Sequence, residues 1–524
     1  MRDALLLPMD IAGPRRDLQW HIVALWLSLP FCCAGNDWPQ YRGINHDGIS
    51  GDRINKQWTG TVTNPVWRVP LTNGLCSAAV SGGRLFTQMW RTLNGARKEV
   101  CLALSAENGA ELWAVTVDDA SYPNGGVGFD DGPRTTPAVD GDSVFVLTSY
   151  LKLYRLNATT GETNWQKDLR ILYGSSVIAW QNAASPVLEN GLIYLNANCG
   201  VSTLMALDTR DGSVVWRSQN EAMTHSTPVL ATINGLRQAI FATQSGLVSV
   251  DASTGNLLWK FPYPFTYGTS IGVSPVVYED MVFVCGAHSY GMGSVAIQAT
   301  LTNNLWTTRK LWSTNNPASH WMTPVCYQGF LYGQFGIQSF DSPSAQLKCI
   351  EMSTGVEKWS TGGFGRGGTI LVDNHLLSIT ELGQLILIKP NTNTYSPVAS
   401  FLANPNYNQF SNRCWNTPAI ADGKVYLRST SFAACFDFSV PDLKLDPPQI
   451  SEGGQLELTV RTVTGGPVNS NRLSGMEVRT SGNVAQGAAI WTKLTNSLLL
   501  TNGVVRVPGV DSEAPRFFII SEPK

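Results

Sequence analysis

The stretch Ala206-Leu207-Asp208-Thr209-Arg210-Asp211-Gly212-Ser213-Val214-Val215-Trp216 decides the fold. Its apolar ends and polar, Gly-containing centre read as strand, tight turn, strand, with a Trp four residues after a Gly. The same spacing returns at Gly109/Trp113, Gly161/Trp165, Gly255/Trp259 and Gly355/Trp359. Trp306 holds the phase after Ala296, with Thr302 where the Gly would stand. Trp67, in Pro65-Val66-Trp67-Arg68-Val69, is a further member with no strand before it. Self-similarity every 43–53 residues marks a repeat architecture.

A second phrase opens each unit: Ser or Thr, Pro, two apolar residues, a short turn, then an alternating strand. It stands at Thr136-Pro137, Ser185-Pro186, Thr227-Pro228, Ser274-Pro275, Thr323-Pro324 and Thr417-Pro418. The last prolines are 94 residues apart, twice the usual step, so one unit without the Pro belongs between them, at Thr369-Ile370-Leu371-Val372. Ser77-Ala78-Ala79-Val80 opens the first unit. This predicts eight units of roughly 47 residues over 64–438, the size of a four-stranded propeller blade. The expected fold is all-β, an eight-bladed β-propeller. A blade cannot bury its faces alone, so Trp67, Trp113, Trp165, Trp216, Trp259, Trp306 and Trp359 are expected to dock each blade on the turn of the next. The orphan strand around Trp67 is expected to complete the last blade and remove its open edge. In the unit at 385–397, Asn393 takes the Gly place and Pro397 the Trp place, which predicts the loosest blade.

Composition fits this fold. Of 524 residues only 15% are charged, and 49 are Gly, as in a β protein rich in tight turns. The net charge of −2 recommends neither nucleic acid nor an anionic membrane as partner. Residues 1–34 read as an export signal: Arg15-Arg16, an apolar run from Ile22 to Cys33, and a small-residue exit at Ala34-Gly35. The run is too short for a membrane span. A lipoprotein reading at Cys32 stays open. The expectation is a periplasmic or secreted monomer with no membrane span. Eight Cys follow the signal. Pairs such as Cys326 and Cys349 fall on strands two apart, about 10 Å, too far to bridge. Buried thiols are expected, Cys414–Cys435 being the least unlikely disulfide. Residues 35–63 form a lead segment with turn chemistry. From Ser439 the repeat stops, and 439–524 reads as a small antiparallel β domain, sandwich-like, with strands near 456–460, 477–479, 498–500, 504–507 and 517–520 and turns at Gly453-Gly454, Gly465-Gly466 and Asn502-Gly503.

The two phrases in phase resemble the PQQ-like propeller repeat, the family of the quinoprotein alcohol dehydrogenases and of the outer-membrane assembly protein BamB. The lead Asp37-Trp38-Pro39-Gln40-Tyr41-Arg42-Gly43 and the stretch Gly132-Pro133-Arg134-Thr135-Thr136-Pro137 look like the BamB-like, non-dehydrogenase branch. The dehydrogenase branch places a vicinal Cys pair against the quinone and a Ca²⁺ beside a catalytic Asp. Here the only adjacent pair, Cys32-Cys33, lies inside the signal. Asp118-Asp119 and Asp130-Asp131-Gly132 read as solvated loop acids rather than Ca²⁺ ligands. The resemblance therefore implies no cofactor, with PQQ and Ca²⁺ only under the alternative of a quinone-dependent oxidoreductase. Gly268-Thr269-Ser270-Ile271-Gly272 matches a nucleophile-elbow string without the strand-to-helix context. Gly363, Gly365 and Gly368 match a dinucleotide fingerprint but precede a strand. The six His lack zinc-ligand spacing.

One constellation remains. Innermost propeller strands run along the axis, so residues just before each Ser/Thr-Pro stand at one mouth of the channel. Three before the Pro lie Arg134, Ala183, His225, Gly272, Trp321, Gly367 and Trp415, and neighbouring phases add His320, Arg366 and Arg413. Such a rim suits an anionic or planar ligand; equally, its cations can satisfy strand-end carbonyls while the indoles plug the channel. The expected function is a non-catalytic scaffold binding envelope or extracellular proteins, or an anionic small ligand. The runner-up is the PQQ-dependent oxidoreductase, and the third a carbohydrate-surface protein acting through the C-terminal module.

Overall fold

The structure, a computed structural model, describes residues 37–524 except 59, 122–131, 265–270, 287–292, 337–344, 407–411, 448, 451–455, 464–467, 469–471, 474–475, 482–490, 511–516 and 522–524. The export-signal stretch, Asp130-Asp131, Gly268-Thr269-Ser270, Gly453-Gly454 and Gly465-Gly466 lie outside the described residues.

The repeats are antiparallel sheets of four sequential strands. Sheet A holds Ala79–Ser81, Arg84–Leu93, Ala96–Ser105 and Glu111–Asp119. Sheet B holds Ala138–Asp140, Ser143–Leu147, Lys152–Asn157 and Thr163–Asp168, and sheet C Val187–Glu189, Leu192–Asn196, Leu204–Asp208 and Val214–Ser218. Sheet D runs from Val229–Ile233 to Leu257–Pro262, E from Val276–Tyr278 to Leu305–Thr314, and F from Val325–Tyr327 to Glu357–Thr361. Sheet G holds Gly368–Val372, His375–Ile379, Gln384–Ile388 and Pro397–Leu402, with Ile49–Ser50 added in parallel. Sheet H has three late strands, Ala419–Ala421, Lys424–Arg428 and Phe432–Asp437; its fourth is Trp67–Pro70, paired Trp67 to Cys435 and Pro70 to Phe432. The first strand of A neighbours those of B and of H, so the two ends of the repeat array meet.

The opening Ser/Thr-Pro phrase has a physical role. The backbone N–H of Ser77 donates to Thr136 Oγ1 at 3.0 Å, Thr136 to Ser185 Oγ at 2.9 Å, Ser185 to Thr227 Oγ1 at 3.0 Å, and Ser274 to Thr323 Oγ1 at 3.0 Å. Each hydroxyl satisfies a buried donor of the preceding sheet, which would cost free energy if left unpaired.

The outer strands carry the second set of contacts. The indole N–H of Trp67 donates to Ala106 O, Trp113 to Ala158 O, Trp165 to Thr209 O, Trp216 to Ala252 O and Trp359 to Asn391 O, in each case a carbonyl of the next sheet. At Gly255, φ is +73°, and an added Cβ would stand 2.6 Å from the Trp216 ring. Only Gly meets both demands.

Two sheets depart from this pattern. In E the hairpin is six residues longer than in C and turns between Thr302 and Leu305, so the indole opposite Ala296 is Trp312, not Trp306. Trp312 donates to Met352 O and lies over Gly355. Trp306 was expected to dock the next blade; it sits instead at the hairpin end, opposite Leu301, and packs at the edge of the D–E core. Trp259 faces that long hairpin rather than a Gly turn, and its N–H goes to Gln238 Oε1 of its own sheet. In G the strand is again out of the expected phase. A bulge pairs Leu387 with Ala399 and Ile388 with Pro397, so Ala399, not Pro397, takes the Trp place.

The missing indole of G is supplied from elsewhere. Trp58, on the lead segment, stacks on Phe438 at 4.7 Å and meets Phe401 edge-on at 5.6 Å. Phe438 holds the place in H that Ala106 holds in A, directly after the third strand. The rest of the lead runs along first strands. Trp38 exchanges both backbone hydrogen bonds with Val80, Pro39 O accepts from Val139 N, and the Gln40 amide bridges Leu188 N and O. Arg42, fully buried, donates to Thr323 O and Pro324 O; Gly48 O accepts from Leu371 N. One segment thus covers first-strand edges of A, B, C and G, groups that would otherwise be open.

All eight described Cys are free thiols, and all but Cys199 are buried; Cys414 and Cys435 do not bridge. Burial pushes the thiols of Cys285 and Cys435 up to about 12, so they are poor nucleophiles at neutral pH. A second compact unit begins at Pro441. It has one sheet with Leu443–Leu445, Leu456–Thr462, Leu499–Thr501 and Val504–Val510, and a smaller one with Glu477–Ser481, Thr492–Lys493 and Phe517–Ser521. Leu458 and Val507 of the first and Val478 and Ile520 of the second share a core. Among the described residues no helix is long and apolar enough to cross a membrane.

Candidate functional site

The residues preceding the first strands converge as two linked groups. In the first, Arg134 Nη1 donates to Trp180 O at 2.8 Å, and His225 Nε2 donates to Gln181 O at 2.7 Å. Trp180 and Gln181 both have left-handed backbones, φ +67° and +58°, an uncommon conformation for side-chain-bearing residues, which turns two successive carbonyls toward the Arg134 and His225 donors. Burial, then the nearby Arg134 charge, holds the His225 pKa down at about 3; His320 adds to the effect. His225 is therefore neutral at physiological pH.

The second group is aromatic and charged. His320 and Trp321 rings lie 4.8 Å apart, and Trp321 and Trp415 5.2 Å. The Arg413 and Arg366 guanidiniums stand over Trp415 at 4.1 and 4.5 Å. Beneath them is Glu381, only 2% exposed. Its Oε1 accepts from Arg366 Nη2 and from Trp415 Nε1, each at 2.9 Å, and its Oε2 from the Arg366 backbone N–H at 2.9 Å. Arg366 is itself buried. Gly272 N donates to His320 O at 2.8 Å, and a Cβ there would meet Trp321 Cβ at 3.0 Å.

Arg134, His225, His320, Trp321, Arg366, Arg413 and Trp415 thus come together, with Arg134, His225, His320, Trp321 and Trp415 half-buried and Arg366 and Arg413 buried. Glu381 was missed. A lone acid two strands along the chain from Arg366 gives no local signal; a buried Arg without an acid in its own phrase is the only hint. Trp180 and Gln181 were missed because they lie one phase earlier than the rim residues of their unit.

Among the described residues no three His, Cys, Asp or Glu gather to hold an ion, Glu381 is already saturated by Arg366 and Trp415, and two guanidiniums cover the Trp415 ring.

Sheets of sequential strands, indole-latched and fronted by such a rim, define a PQQ-like repeat protein. Residues 96–361, just over half of the chain, match the sequence family described as outer membrane protein assembly factor BamB, and the chain belongs to that family. The outer membrane protein assembly factor BamB of Moranella endobia (strain PCIT) is 25% identical over 256 residues, 45% of this chain and 60% of that protein. The Yersinia pestis protein of the same name is 24% identical over 243 residues, 42% of this chain and 54% of that one. The chain therefore spans between half and two thirds of the relatives it matches. Among solved structures, the quinohemoprotein alcohol dehydrogenase ADHIIG from Pseudomonas putida HK5 is 14% identical, with a TM-score of 0.52 over 80% of this chain and 84% of that one. This is a likeness of fold alone.

Proposed function

We propose that the protein is an exported, non-catalytic propeller of eight blades, closed by its own N-terminal strand, that serves as a protein-binding scaffold in the envelope. The observation that carries this reading is the mutual saturation of the rim. Glu381 neutralises Arg366, both guanidiniums lie against the Trp415 ring, and the nearby His225 is neutral. At the first-strand edges the lead segment makes the contacts that a ligand would make. Loops, outer strands and blade faces remain for function, and those are surfaces of protein recognition. The names of the relatives, outer membrane protein assembly factors, support a protein partner and a periplasmic or secreted location. No cofactor is required.

Tagged full-length protein, cross-linked in cells of the source organism, should copurify with a defined protein partner in fixed ratio. The same preparation supplied with PQQ and Ca²⁺ should neither bind quinone nor oxidise alcohols. Quinone-dependent turnover would overturn the proposal.

A second reading, an anionic ligand at the half-buried part of the rim, is favoured by the close approach of Arg134, His225 and His320. Arg134→Ala should abolish binding of a small dicarboxylate if that reading holds.

A further inference from the structure

Exposed apolar side chains among the described residues are mostly scattered over outer strands, turns and hairpin ends, as is normal for a protein surface. One place differs. The only α-helix among the described residues, α1 (Leu169–Tyr173), joins sheets B and C and presents Ile171 at 81% and Leu172 at 51% exposure. Beside it Val201 is 64% exposed, and on the outer strand of C Val215 is 48% exposed. The patch is rigid. The Asp168 side chain caps Arg170 N and Ile171 N, Gly174 closes the helix with φ +71°, and Leu169 is fully buried. Ser176 N donates to Asn198 O at 3.0 Å and Asn198 Nδ2 to Ser176 O at 2.7 Å, tying the helix exit to the loop that carries Val201.

Arg217 sits at the centre. Its guanidinium lies over the Tyr173 ring at 5.1 Å and donates to Ser202 O, Val201 O and the Cys199 sulfur. The neighbouring Arg170 and Arg210 are paired with Asp168 and Asp208. Arg217 meets no carboxylate among the described residues. It is an exposed charge held over a ring and by two carbonyls. A fixed arginine among aromatic and aliphatic anchors is the composition of an interface centre, and the unneutralised charge states what is missing.

We infer that Ile171, Leu172, Tyr173, Val201, Val215 and Arg217 form the docking surface for a protein partner that offers apolar side chains around one Asp or Glu. The inference rests on the protein-scaffold reading and names its site. The net charge of −2 does not recommend an anionic membrane as the partner, and an Arg whose Nε and Nη2 are held by Ser202 O, Val201 O and the Cys199 sulfur keeps Nη1 for one oxygen of a fixed carboxylate rather than for mobile headgroups.

The test uses the full chain in cells of the source organism, with benzoylphenylalanine in place of Ile171, of Val201, of Trp321 at the rim or, as control, of Leu402, an exposed residue on the outer strand of G. Positions 171 and 201 should cross-link to one protein, and 402 should not. Arg217→Glu should lower that adduct about tenfold, and reversing the partner's acid to Arg should restore it. Should Arg217→Glu fold poorly, Ile171→Asp with the probe at 201 carries the same test. An adduct to lipid, to a second copy of this chain, or one indifferent to Arg217→Glu overturns the inference. A protein adduct only from position 321, at the rim, overturns the patch and leaves the scaffold reading standing; no protein adduct from any position removes both.

Discussion

The junction of sheets C and D and the junction of G and H solve one problem with different parts. At C–D the latch is resident: Trp216 leaves its own outer strand, donates to Ala252 O and covers Gly255. At G–H the outer strand offers only Ala399, and the space is filled by Trp58, which arrives from more than 300 residues earlier to stack on Phe438. The small residue that accepts an indole elsewhere has become a Phe that stacks with one. The difference teaches that the repeat conserves a filled volume rather than a residue, and that the lead segment is part of the array.

The largest expected effects test that equivalence. Trp216→Ala and Trp58→Ala should each destabilise by about 3–5 kcal/mol, as large buried aromatics do, although Trp58 lies outside every repeat. Trp306→Ala, at a hairpin end, should cost about 1 kcal/mol or less. Chemical denaturation of the three variants decides; a mild Trp58→Ala would make the borrowed latch ornamental.

A buried pair inside G sharpens the contrast. Arg366→Ala leaves Glu381 charged and buried, a loss of roughly 3 kcal/mol or more, whereas Arg134→Ala, at a half-buried site, should cost about 1 kcal/mol. Equal melting temperatures for the two would contradict the description of Glu381 as the neutralising group.

A pH-dependent effect separates lead from sheets. His46, on the lead and 3% exposed, has its pKa pushed down to about 3 by burial and by the Arg237 charge. The unfolded chain binds this proton near pH 6.5 and the folded one only near 3. Stability present above pH 6.5 is therefore lost as pH falls toward 3, by at most about 1.4 kcal/mol per pH unit. His225 behaves alike. In urea titrations between pH 7 and 4, His46→Gln should flatten part of this slope; an unchanged slope would place the acid sensitivity elsewhere.

Much of this was legible in the chain because the signals are local and periodic. The Gly-to-Trp spacing and the Ser/Thr-Pro phrase both state backbone geometry within a dozen residues, and the phase that placed Arg366, Arg413, Trp321 and Trp415 at one rim is arithmetic on that period. What escaped was long-range. The longer hairpin of E moved the latch from Trp306 to Trp312, since its turn lies at Asn303-Asn304, beyond Thr302 rather than before it, and the residues of the outer strand shift accordingly. The turn-rich lead gave no hint of its partners, because Gln40 and Arg42 pair with carbonyls 148 and 281 residues away. Glu381 carries no motif at all; its importance lies only in what surrounds it.

Closure by the N-terminal strand is open to one direct measurement. In Val69→Pro the ladder between Trp67–Pro70 and Phe432–Asp437 loses a donor at its centre. Native-state hydrogen exchange should then show the amides of Ala433 and Cys435 exchanging at least tenfold faster, with Met205 in sheet C unchanged. Undiminished protection at Ala433 and Cys435 would mean that the last sheet stands without the first strand, and the account of a ring shut by its own beginning would be wrong.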